Sequence, residues 1–253
     1  MSPAPAFTHP VTLLRGGARS PLVLLCEHAS AAMPEEFEHL GLAPAERLKH
    51  IAWDPGAWAV AQAISEALQA PLIGSNYSRL LVDCNRHPGA PDAMATRSEH
   101  IDVPGNLGLT PTQRQARIED LHTPFHACVE AQLGRPGVAA LVSVHSFTPV
   151  FQGLQRPMRA GLLADGDGRL VEAMQARAPR AWGAPVPINQ PYDASGGVAY
   201  SIQRHVKPRG MLHAILELRQ DTIDTEARQA QAGREWADCL RGALLSLGLK
   251  AEA

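Results

Sequence analysis

The chain has 253 residues, of which 45% are hydrophobic and 19% charged, with a formal net charge of −2. That length fits one large α/β domain with a core that needs no staples, and residues 1–253 are read as a single domain. A near-neutral chain lacks the basic excess of a nucleic-acid binder, and no stretch reaches the roughly 18 apolar residues of a membrane span.

Residues 21–26 (PLVLLC) form a continuous apolar run, which suits a strand buried on both faces. Residues 35–50 have helical composition interrupted at Gly41 and Pro44. Asp54-Pro55-Gly56 opens a helix, with Asp54 as N-cap and Pro55 at the first helical position. Ala57, Val60, Ala61, Ile64 and Leu68 then recur at helical spacing. Residues 71–74 and 78–82 read as strands, and 87–110 as a loop in which His100 and Asn106 could face a ligand. Residues 110–133 form a long helix that Thr110 caps, Pro111 starts and Gly134 stops.

Further strands are expected at 139–144, 160–163 and 211–218, and helices at 170–178, 200–205 and 225–247. A loop rich in Pro, Gly and Asn covers 183–198. Strands alternating with helices favour an α/β fold with a largely parallel or mixed sheet. No Gly-rich phosphate loop joins a strand to a helix, which removes the usual signal for a dinucleotide fold. The cysteines at 26, 84, 128 and 239 form no C-x-x-C pair and read as free thiols. The N-terminus shows no basic region followed by an apolar one, so a cytoplasmic location is expected.

Function in α/β proteins gathers past the C-terminal ends of strands. Four segments place polar groups at such ends: Glu27-His28, Asp83-Cys84-Asn85-Arg86, His145-Ser146 and Glu217-Leu218-Arg219. A mononuclear zinc site fits this set, because catalytic zinc takes three ligands from imidazole and carboxylate. His28 and His145 are the candidate imidazoles, and a carboxylate must complete the set. Glu217 is the candidate general base, and Arg86 would hold an oxyanion or a substrate carboxylate. Arg79 is a candidate for binding an acidic substrate, and Asp83 for orienting a neighbour. Asn189, Tyr192 and Gly196-Gly197 lie in NQPYDASGG, a Gly-rich loop whose backbone could approach a ligand; Asn189 is a candidate substrate contact there, and His205 a candidate contact for the leaving group. The absence of G-x-S-x-G argues against a serine hydrolase.

The segments CEHAS, HIAWDPGA, SRLLVDCNR, HSFTP, NQPYD and ILELRQD occur in this order over about residues 22–245. Together they resemble the N-formylglutamate amidohydrolase family, which is similar in fold to zinc carboxypeptidases and succinylglutamate desuccinylases. The resemblance implies a three-layer αβα sandwich with a central mixed, mostly parallel sheet. It also implies one Zn2+ ion and hydrolysis of N-formyl-L-glutamate to formate and glutamate, the last step of one histidine-degradation route. By position, His28 and His145 match the metal histidines, Asn85 and Arg86 the substrate-binding pair, and Glu217 the catalytic glutamate. The wider group places its carboxylate ligand three residues after the first histidine, where this chain has Ala31. Asp54 is preferred as the substitute and Glu27 is the alternative, since neighbours in an extended segment point to opposite faces. The expected partner is a small N-acyl acidic amino acid, and the chain a monomer or homodimer. Two other readings stand beside this one: a metal hydrolase of another N-acyl amino acid or small peptide, and a non-catalytic binding protein on the same fold.

Overall fold

A computed structural model describes residues 7–183 and 185–250. Six strands form its main sheet: β1 (Val11–Leu14), β2 (Leu22–Cys26), β3 (Leu72–Ser75), β4 (Ala140–Phe147), β5 (Ala160–Leu163) and β6 (Leu212–Arg219). Their spatial order is β1-β3-β2-β4-β6-β5. The inner strands β3, β2, β4 and β6 run parallel, and the edge strands β1 and β5 each pair antiparallel with a neighbour. This is the mixed, mostly parallel sheet that the sequence implies.

The helices are α1 (Ala57–Leu68), α2 (Pro111–Arg117), α3 (Thr123–Leu133), α4 (Arg169–Gln175) and α5 (Glu226–Ser246). Every residue of β2 is buried, and alternate side chains serve opposite faces of the sheet. Leu22, Leu24 and Cys26 join a core with α1, α4 and α5, while Val23 and Leu25 join a second core with α3. The helices therefore cover both faces, giving three layers. The expected helix over 110–133 is present as α2 and α3, joined by a π-helical turn at Ile118–His122. Its start is a capping box between Thr110 and Gln113. No helix among the described residues is long and apolar enough to cross a membrane.

Three local expectations differ from the structure. Residues 35–50 hold only the short 3-10 segment Glu35–Gly41, in which Leu40 alone is buried; without an apolar stripe to pack, a longer helix gains nothing. Residues 78–82 are a turn, not a strand. Their backbone bonds go to other loops, with Ser78 N donating to Ala32 O and Arg79 N to Ala52 O. Buried apolar runs of this length cannot be told apart by periodicity. Helix α1 begins after Gly56, at φ 82°, and Asp54 does not cap it. A side chain at Gly56 would meet Ile223 O at 2.7 Å, so glycine alone lets the chain turn there.

A second close approach fixes the loop before Tyr192. A Cβ on Gly161 of β5 would lie 1.8 Å from Gln190 O. Leu162 N donates to Pro187 O and Asn189 N to Leu162 O, so this loop lies directly on the edge strand.

Candidate active site

The sheet brings the candidate residues to one place. Glu27 and His28 follow β2 directly. Asp54 N donates to His28 O at 2.9 Å, which ties the loop before α1 to the loop after β2. β4 and β6 are parallel neighbours whose register sets Glu217 beside His145. Glu217 lies within its strand as expected, and His145 lies within its strand instead of beyond it, because β4 runs three residues past the expected end. By alternation, Ser143, His145 and Glu217 share the face of Leu141 and Ile215, which belong to the α3-side core.

Asp54 sits between the two imidazoles. His28 Nδ1 lies 3.3 Å and His145 Nδ1 2.8 Å from Asp54 Oδ2. One ligand atom from each of His28, Asp54 and His145 falls within 4.8 Å of the others, and all three residues are buried. The opposite ring nitrogens are taken. His28 Nε2 is 2.8 Å from Asp83 Oδ1. Ser143 Oγ donates to Glu27 Oε2 at 2.5 Å and so accepts from His145 Nε2 at 2.8 Å. Glu27 is thus the outer partner of His145, 3.3 Å from its Nε2, and lies outside the His–Asp–His cluster.

The hydrogen-bonding arrangement of this cluster is compatible with a bound cation. Each neutral imidazole carries one N–H, and both spend it outward on Asp83 or Ser143. On neutral rings, both Nδ1 lone pairs would then face an anionic oxygen. Acceptors facing an acceptor repel, and a cation or extra protons must resolve them. Four buried carboxyl groups, Glu27, Asp54, Asp83 and Glu217, add to the negative potential. Outer carboxylates on ligand histidines are the usual way to fix ring orientation at a metal.

The local fields separate the carboxyl groups. Burial pushes Asp54 up, but His28 and His145 outweigh it and hold it well below the usual carboxylate range. Burial likewise opposes Glu27, but the contacts with His145 and Ser143 bring it to about 2. Glu217 goes the other way, raised to about 7 by burial, with His145 opposing and Asp54 adding to the rise. Its Oε2 is buried with no hydrogen-bond partner among the described residues. An ionisable carboxyl kept near neutrality with a free oxygen is equipped to move a proton.

The family model for N-formylglutamate amidohydrolase matches residues 20–223. The chain belongs to the N-formylglutamate amidohydrolase family. The crystal structure of gene product Atu2144 from Agrobacterium tumefaciens is 38% identical, with a TM-score of 0.91 over 96% of this chain and 99% of that one. N-formylglutamate amidohydrolase from Ralstonia eutropha JMP134 shares the fold at 22% identity, with a TM-score of 0.65 over 93% of this chain and 97% of that one. No curated protein matches.

In this family member a cavity of ≈ 350 Å³ opens over the cluster, and His28, Asp54, Arg79, Asn85, Arg86, His145 and Glu217 all line it. Arg79 faces inward: its Nε and Nη2 donate to Asp83 Oδ2 at 3.0 and 2.6 Å, and Nη1 lies 3.6 Å from Asp54 Oδ1. Arg86 Nε donates to the exposed Asp92 at 2.9 Å and Nη1 to Gly197 O at 3.0 Å. Asn85 bonds Val198 O and Ser201 N.

Two expected substrate contacts lie elsewhere. Asn189 and His205 do not line the cavity. Asn189 accepts from Ala164 N on the far side of its loop. His205 is buried against His126 and Glu130 behind the 83–86 segment. Asn106 is a structural staple, donating to Leu80 O and Ala95 O and accepting from Arg117. Ser143 escaped the sequence reading. Its signal was its place two residues before His145 on the same strand face.

Proposed function

We propose that this chain is a zinc-dependent amidohydrolase that cleaves N-formyl-L-glutamate or a similar N-acyl acidic amino acid. The supporting observation is the pair of imidazoles, His28 and His145, whose Nδ1 atoms both lie within 3.3 Å of Asp54 Oδ2, beside Glu217, whose Oε2 has no hydrogen-bond partner among the described residues. His28, Asp54 and His145 would hold the ion, which polarises an amide carbonyl and makes water nucleophilic near neutral pH. Glu217 accepts the proton of the attacking water as the C–O bond forms. It returns that proton to the amine nitrogen as the C–N bond breaks, releasing formate and the free amino acid. Arg86 and Asn85, which line the cavity, would hold the substrate carboxylate, which would replace the exposed Asp92 on Arg86. Arg79, committed to Asp83 and Asp54, supports the ligands. Four free cysteines suit a reducing compartment, and we assign the activity to the cytoplasm, at the end of histidine degradation.

The test pairs metal analysis with turnover. Chelator-stripped protein should be inactive on N-formyl-L-glutamate, and one equivalent of zinc should restore activity. Glu217→Gln should keep the zinc and lose roughly two to four orders of magnitude in kcat. Full turnover by the stripped protein, or by the Gln variant, refutes the reading.

A further inference from the structure

We propose that Tyr192 is a further catalytic residue, whose phenolic O–H donates to the scissile carbonyl oxygen as it gains charge, and that Arg156 is its positioning residue. The inference rests on the hydrolytic reading above. Tyr192 lines the same cavity as His28, Asp54, His145 and Glu217. Arg156 lies behind it. Its guanidinium carbon is 4.5 Å from the Phe151 ring centroid, 4.9 Å from that of Tyr192 and 5.6 Å from that of Phe147. Cations over aromatic faces are attracted by the ring quadrupole, and three rings hold this one in place.

The donor arithmetic is decisive. Arg156 Nη1 lies 3.2 Å from Tyr192 Oη. A guanidinium only donates, so the phenolic oxygen accepts, and the phenolic proton is left for another acceptor. Donation from a cation also polarises the O–H bond and strengthens it as a donor. Burial and the nearby Glu217 push the Tyr192 phenol up to about 12, so the proton stays on at working pH and the group acts as a donor. The loop before Tyr192 is tied to the sheet, because Gly161 lets it lie directly on β5, where Leu162 and Asn189 hydrogen-bond across. A fixed donor aimed at developing negative charge needs no reorganisation during the reaction. The electron pair of the C=O bond moves onto this oxygen as water adds, and returns as the amine leaves.

The experiment compares zinc-loaded wild type, Tyr192→Phe, Arg156→Met, Arg156→Lys and the Phe/Met double variant. Tyr192→Phe keeps the ring and should lower kcat by about 100-fold with KM little changed. Arg156→Met should lower kcat in the wild type but add nothing to the Phe variant, and Arg156→Lys should recover part of the loss. A binding readout is independent of turnover. A phosphinate with tetrahedral phosphorus in place of the acyl carbon should bind Tyr192→Phe about tenfold or more weakly by calorimetry, with L-glutamate affinity unchanged. Wild-type kcat and phosphinate affinity in Tyr192→Phe would overturn the inference. An inactive zinc-loaded wild type would instead bring down the hydrolase reading, and this inference with it.

Discussion

Two groups of buried histidines grip the same short segment, residues 83–86, and their surroundings give them opposite chemistry. On one side, His28 Nε2 meets the Asp83 carboxylate, and His145 sits between Asp54 and Glu27. On the other, His126 Nε2 donates to Cys84 O at 2.9 Å and His122 Nε2 to Arg86 O at 3.1 Å. Ring separations are similar, 4.9 Å for His28–His145 and 5.0 Å for His126–His205. Burial lowers the pKa of both His145 and His126. For His145 the hydrogen bonds to Asp54 and Glu27 overcome it and raise the value well above the ordinary one. For His126 the nearby His122, His205 and Arg204 add to burial, and the value falls to about 2. Buried carboxylates flank His28 and His145, an arrangement compatible with a cation, while backbone carbonyls hold His122 and His126 as a clamp on the segment that carries Asn85 and Arg86.

The largest expected effect breaks the comparison at the ligands. His145→Ala should abolish measurable zinc binding by calorimetry, while His126→Gln, which keeps a donor for Cys84 O, should bind zinc as wild type does. Equal zinc affinity in the two variants would show that the two histidine groups do not differ in this way. A middle-sized effect concerns the outer carboxylate. Asp83→Asn leaves His28 an acceptor but removes charge from behind the ring, and zinc affinity should fall about 10–100-fold. An unchanged affinity would mean that Asp83 serves only Arg79.

The smallest effect is a pH slope. His126 is depressed in the folded chain, so its contribution to stability is present above the ordinary histidine value near 6.5 and is lost as pH falls below it toward about 2. Each such group costs about 1.4 kcal/mol per pH unit in that window. Glu217, raised to about 7, titrates in the opposite sense in metal-free protein, and it is common to both chains in the comparison. Urea unfolding between pH 6.5 and 5 should therefore be less acid-sensitive in His126→Gln than in wild type by about one proton. Identical slopes would mean that His126 titrates normally.

The sheet was legible because parallel strands, buried on both faces, must read as apolar runs, and LVLLC and LHAILELR do. His145 and Glu217 were visible for the same reason, as charged or polar groups where such runs end. Asp54 was harder. Its D-P-G context reads as a helix start, but the helix begins after Gly56, whose positive φ is reserved for glycine by the close approach of Ile223 O, and the Asp54 side chain bonds the histidines instead of capping the helix. The contact between Gly56 and Ile223 joins residues 167 positions apart, so no local pattern could show it. The 78–82 segment misled because burial and pairing are separate facts: Leu80, Leu81 and Val82 are buried in a turn. His205 was drawn into the site by its nearness in sequence to β6, but a helix–helix neighbour, His126, claimed it.

Gly161 carries a consequence for how this protein tolerates change. It stands on an outermost strand, where a methyl group is usually harmless, and no charged or reactive group marks it. Yet a methyl there would have to displace Gln190 and lift the tyrosine that follows two residues later. A variant such as Gly161→Ala would then keep its His–Asp–His cluster intact while its aromatic wall stood ajar, a lesion that metal analysis alone would pass as healthy.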